Sequence, residues 1–144
     1  MGGGGRTHQP IEQEAQIRLM EQVRNHQGER SMLVLRPADA DETVMAWKLA
    51  LEEHRPVALV LSRQNIRSLK TLATSRREEA AQIAKGGYVV RDAATPAAVL
   101  IASGSEVSMP PDGPVLLAAA GPPVRVGRVP RLGLVGRPSP HTHA

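Results

Sequence analysis

Two short aliphatic runs, each bounded by a proline, constrain this chain more than any other feature. MLVLR (Met32 to Arg36) is halted by Pro37, and VALVLS (Val57 to Ser62) begins after Pro56. Runs of this length, rich in Leu and Val and without polar alternation, suit strands buried on both faces of a parallel sheet. Between them, Asp39 is placed to cap a helix, with Glu42 three positions on as a variant capping box. Val44, Trp47 and Leu51 then form an apolar stripe that ends near His54, and Trp47 is expected in the core. Strand, helix and strand joined in this way form a parallel crossover. The expected fold class is α/β.

The flanking segments are less regular. Gly2 to Gly5 give no ordered start. Pro10 suits the first turn of a helix. Ile11, Ala15, Leu19 and Val23 recur on one face, and Glu12 and Glu14 complement the helix dipole. Gly28 ends that segment. Charge crowds Ile66 to Lys85, which reads as a linker with one or two helical turns. GYVV (Gly87 to Val90) and AVLIAS (Ala98 to Ser103) read as two further strands, with Asp92 to Pro96 as the turn between them. A helix beginning at Ser105 is stopped by Pro110 and Pro111. In the proline-rich tail, LLAAA suits a helix and VRVGRV a strand, with disorder expected beyond Leu134.

Composition excludes several classes of function. With no cysteine, disulfides and thiolate metal sites are ruled out. Lys and Arg number 18 against 14 acids, a net charge of +4, and there is one Trp, one Tyr and no Phe. A basic stripe with stacking aromatics is absent, so a nucleic-acid partner is not expected. No apolar stretch reaches the roughly 20 residues of a membrane helix, and no signal-like run follows Met1. A cytoplasmic chain with no membrane partner is the expectation.

Few residues are placed for chemistry. Arg63 follows the second predicted strand, at the end where α/β sheets bind ligands. A guanidinium can hold a phosphate through two parallel hydrogen bonds; the plainer reading is a surface ion pair. His8 can donate to a developing hydroxyl and pass a proton near neutral pH; its plainer reading is a loop histidine at a helix start. Asp39 and Glu42 are better explained by capping than as a catalytic pair. Arg36 reads as structural, and Ser62 and Gln64 as shaping a turn. The glycine run lacks the GK[ST] of a phosphate loop, and His141 with His143 lacks the further ligands a metal needs.

Five segments, in order and at matching spacing from about Gly4 to Met109, resemble the transketolase family. They are THQPIEQ (Thr7 to Gln13), RPADADE followed by AWKLALE, LVLSRQN (Leu59 to Asn65), KGGYVV and VLIASGSEVS. Dihydroxyacetone synthase, a close relative, shares such motifs. The resemblance implies a strand-helix-strand unit from a thiamine-diphosphate-binding fold, plus an incomplete second α/β domain. Residues 1–68 would be the carboxyl part of the pyrimidine-binding domain, 69–85 a linker, 86–134 a truncated C-terminal domain and 135–144 a disordered tail.

The implied activity is transfer of a two-carbon ketol unit from a ketose phosphate to an aldose phosphate in the pentose phosphate pathway. By the same resemblance, His8 lies beside the reacting carbon and touches substrate, and Arg63 holds the sugar's terminal phosphate. Thiamine diphosphate and a divalent metal such as Mg2+ serve the full-length family. They are expected to be held by domains absent here, so the chain alone should be inactive. Sugar phosphates, and the missing domains or a second subunit, are the implied partners. The alternative is a non-catalytic remnant or split-enzyme subunit that binds a partner chain or a sugar phosphate. Some positions depart from the family pattern. Gly3, Gly4 and Arg6 replace a Glu, a substrate-contacting Asp and a Pro. Met109 to Pro111, Pro122, Pro123, Gly127, Arg128 and Arg131 depart too.

Overall fold

The computed structural model describes residues 12–69, 71, 75–108, 123–131 and 133. The aliphatic runs form strands β1 (Leu33–Leu35) and β2 (Val57–Leu59), joined by helix α2 (Ala40–Glu52). They pair in parallel, with Leu33 opposite Val57, Val34 opposite Ala58 and Leu35 opposite Leu59. The predicted crossover is therefore present. The cap is present as well: the Asp39 carboxylate accepts from the Glu42 N–H at 3.0 Å, and the Glu42 carboxylate accepts from the Ala38 N–H at 3.1 Å.

Leu33, Leu35, Ala46 and Ile83 form the core, with Met45, Leu49, Val57 and Leu59 packed on it. The stripe expected to face that core does not. Val44, Trp47 and Leu51 are 55%, 53% and 82% exposed. Helix α2 carries two apolar stripes, and the one holding small Ala46 lies closest to the strands. Trp47 is therefore a surface residue of the described chain, not core.

Helix α1 (Gln13–Gln22) precedes β1. Its expected apolar stripe also faces outward, with Leu19 67% and Val23 53% exposed. The buried residue of α1 is Glu21, whose carboxylate meets the Val34 N–H at 3.4 Å. Pro10 and Ile11 lie outside the described residues, as do the glycine run, LLAAA, the two tail histidines and the segment beyond Gly133.

The charge-rich segment holds two short helical pieces, α3 (Arg76–Ala80) and a 3₁₀ turn (Ala81–Lys85). Ser75 caps α3, its hydroxyl accepting from the Glu78 N–H at 3.1 Å. Strands β3 (Tyr88–Arg91) and β4 (Ala98–Ala102) form where predicted, and VRVGRV supplies β5 (Val124–Arg128). Strands β3 and β4 are not neighbours, because β5 lies between them, antiparallel to β3 and parallel to β4. Gly104–Ser108 is a 3₁₀ turn rather than the start of an α-helix.

Two positions explain why glycine stands there. Gly86 ends the 3₁₀ turn at φ +96°, in the region that disfavours side chains. A Cβ on Gly87 would lie 2.8 Å from the Arg128 carbonyl oxygen, so β3 and β5 approach closely only without one. The two sheets are joined through the backbone by the Arg36 N–H, which donates to the Pro130 carbonyl at 2.9 Å; the Arg131 N–H donates to Gly86 at 3.2 Å beside the β3–β5 pair. No described helix is long and apolar enough to cross a membrane.

Candidate functional site

A cleft of about 300 Å³ opens at the carboxyl ends of β1 and β2. One wall is the start of α2, with Asp39 and Thr43; the other is the stretch after β2, with Ser62, Gln64, Asn65 and Ile66. This is the edge at which parallel α/β sheets bind ligands, because the strands end there and the helix N–H groups converge. Arg63 lies between two lining residues and is exposed. The Ser62 hydroxyl accepts from the Gln64 N–H at 3.1 Å, so Ser62 shapes this turn as expected. His8 lies outside the described residues.

Beneath the cleft is a charged network that sequence reasoning did not find. Arg76, from α3, donates through Nε to Asp39 at 2.8 Å and through Nη1 to Glu79 at 3.1 Å. Its Nη2 reaches Glu42 at 3.0 Å and the Tyr88 hydroxyl at 2.8 Å. Tyr88 in turn donates to Glu42, which also pairs with Arg128. Asp39, Glu42, Glu79 and Arg128 are all nearly inaccessible. Capping is thus only part of what Asp39 and Glu42 do; they also bind α3 and the second sheet to the first.

Electrostatics follow this geometry. Burial alone would raise the Asp39 pKa, but hydrogen bonds from Arg76, Glu42 N–H and Leu69 N–H bring it below the usual carboxylate value. Burial likewise opposes the charge of Arg76, yet its bonds to Asp39 and Tyr88 raise its pKa above the arginine norm. For Tyr88, burial and the Glu42 carboxylate push the phenol well up. Burial dominates for Arg128 and lowers its pKa despite Glu42. Its Nε and Nη1 have no hydrogen-bond partner among the described residues.

One signal for Arg76 was present in the sequence, since Ser75 and Glu78 bracket it as a capping pair. Arg128 had none: like Arg125 it is a charge in a short Val-rich strand, and nothing in the local pattern marks it for burial. Arg36 is structural as expected, pairing with Glu14 at 3.2 Å and accepting from Arg128 at its carbonyl. The carboxylates Asp39, Glu42 and Glu79 all face guanidinium groups, and no group of three His, Asp or Glu suited to a metal occurs among the described residues. That donor set does not fit a metal-bound diphosphate.

A parallel crossover with a cleft over its carboxyl edge and an arginine on the rim is the arrangement on which α/β proteins seat ligands. Comparison with known proteins narrows the class. Residues 1–68 match the transketolase pyrimidine-binding domain. A plasmid-encoded transketolase of Cupriavidus necator is 44% identical over 131 residues, 90% of this chain. Transketolase 2 of Vibrio parahaemolyticus is 41% identical over 132 residues. Solved transketolases superpose on 94% of the chain, that of Leishmania mexicana with a TM-score of 0.71 and 34% identity. A Pichia stipitis transketolase solved with sedoheptulose 7-phosphate gives the same values. Over most of its length the chain is similar to transketolases. It spans 18% of the length of these curated relatives.

Proposed function

We propose that this chain contributes the phosphate-gripping side of a transketolase site, where a two-carbon ketol unit passes from a ketose phosphate to an aldose phosphate. Arg63 holds the terminal phosphate through paired hydrogen bonds, and His8 donates to, and passes a proton at, the hydroxyl that develops on the reacting carbon. Residues 1–68 act as the carboxyl part of the pyrimidine-binding domain, 69–85 as a linker and 86–134 as part of the C-terminal domain. Thiamine diphosphate and Mg2+ belong to other family domains or a second subunit, and the chain alone is inactive. The setting is the pentose phosphate pathway of the cytoplasm. The observation that carries this reading is an exposed Arg63 at the carboxyl edge of β2, between two residues that line the cleft.

Titration of the full chain with ribose 5-phosphate and with ribose tests it. The phosphorylated sugar should bind at least about tenfold more tightly, Arg63→Ala should abolish the difference, and Arg63→Lys should restore only part of it. Equal binding of the two sugars, or no effect of Arg63→Ala, would remove the reading. A second reading, a non-catalytic subunit that docks on a partner chain, is favoured by the exposed Val44, Trp47 and Leu51 stripe of α2. Ketol transfer on mixing with the remaining domains of a relative would support the enzyme; binding without transfer would support the subunit.

A further inference from the structure

The Asp39 carboxylate ties the loop after β2 to the start of α2 and to α3. Asp39 accepts from the Leu69 N–H at 3.1 Å through Oδ2, and from the Glu42 N–H through Oδ1. Both Asp39 oxygens also receive the Arg76 guanidinium, at 2.8 Å and 3.3 Å. Arg76 is itself fixed by Glu42, Glu79 and Tyr88, which come from α2, α3 and β3. Its side chain is 9% exposed and that of Asp39 is 0% exposed. Leu69 and Arg63 lie on the same stretch, and its first part forms the cleft wall.

A carboxylate held by a rigid cation has little freedom to turn, so the N–H it accepts is held in place as well. A grip on phosphate by two parallel hydrogen bonds depends on the direction of the guanidinium, and hence on the loop that carries it. We propose that Arg76 is a positioning residue: acting through Asp39, it fixes the loop that bears Arg63 and so sets how tightly a sugar phosphate is held. This rests on the phosphate role of Arg63 proposed above. Arg76 touches no substrate. It links the second α/β unit, through Tyr88, to the phosphate-binding edge of the first.

The test is a double-mutant cycle on the full chain, with ribose 5-phosphate and ribose as probes and hydrogen exchange at Leu69 as the structural readout. Arg76→Gln should weaken ribose 5-phosphate binding about tenfold, leave ribose binding unchanged and speed Leu69 exchange. The same change in an Arg63→Ala background should add nothing. Asp39→Asn keeps the helix cap but weakens the hold on Arg76. Its amide nitrogen stands where Oδ2 accepted from the Leu69 N–H and from Arg76, so it should give an effect of the same sign at least as large, and it carries the test if Arg76→Gln does not fold. Unchanged ribose 5-phosphate affinity in folded variants overturns the inference, as does an equal loss in the Arg63→Ala background. An unprotected Leu69 amide in the unaltered chain overturns it too. If the unaltered chain does not distinguish the two sugars, the Arg63 reading itself fails; faster Leu69 exchange in the variants then marks a structural tie only, and the positioning role falls with it.

Discussion

Arg76 donates from all three guanidinium nitrogens, whereas Arg128 pairs through Nη2 alone and leaves Nε and Nη1 buried without a described partner. A buried charge is tolerated when its hydrogen bonds are complete, and each donor left unmade costs about 1–3 kcal/mol. The two residues should therefore respond oppositely to the same substitution. Arg76→Met should destabilise by about 3–5 kcal/mol, because Asp39, Glu42 and Glu79 lose the cation they share. Arg128→Met should be within about 1 kcal/mol of neutral, or stabilising, since Glu42 keeps Arg76, Tyr88 and the Ala38 N–H. Urea unfolding of both variants checks this, and equal losses would contradict it.

Among the elements, α2 shows most clearly what sequence could and could not tell. Its cap, its start and its place between two parallel strands were all legible from Asp39, Glu42 and the flanking prolines. Its buried face was not. Periodicity reports that an apolar stripe exists but not which of two stripes meets the sheet, and small Ala46 packs closest while Trp47 stays outside. The emission of Trp47, the chain's one Trp, should therefore lie near that of tryptophan in water and be readily quenched by iodide. A blue-shifted, protected emission would show that something covers this face. Strand β5 is a similar case. VRVGRV suggested a strand, but insertion between β3 and β4 depends on pairing between distant segments, which local pattern does not encode. Gly127 and Arg128, read from the sequence as departures from the family pattern, are part of that strand; Arg128 reaches from it to Glu42 on α2. The Arg63 rim was readable because strand ends and SRQN coincide. The network beneath it was not, because its members lie on four separate elements.

For the whole molecule, the shared network joins two sheets that each have little core of their own, so stability should follow its titration. The Asp39 pKa is held below its ordinary 3.8, so the unfolded chain binds the proton more readily. The stabilisation from Asp39 is complete above pH 3.8 and is lost as pH falls through the lowered folded value. The Tyr88 pKa is raised above its ordinary 10.0, so the folded chain holds that proton longer, and stability falls as pH rises past 10.0. Thermal melts across pH should show both edges. Asp39→Asn should blunt the acid one, and Tyr88→Phe the alkaline one; edges unmoved by either change would place the titrating groups elsewhere.

The proposed function comes down to one physical event, a sugar phosphate meeting the protein at the carboxyl edge of β2. Mapping amide and arginine Nε–H chemical shifts during a ribose 5-phosphate titration observes that event directly. The largest changes should fall on residues 62–66 and on the Arg63 side chain, with β4 and β5 silent. Changes centred on β4 and β5, or none above those caused by ribose, would contradict the account.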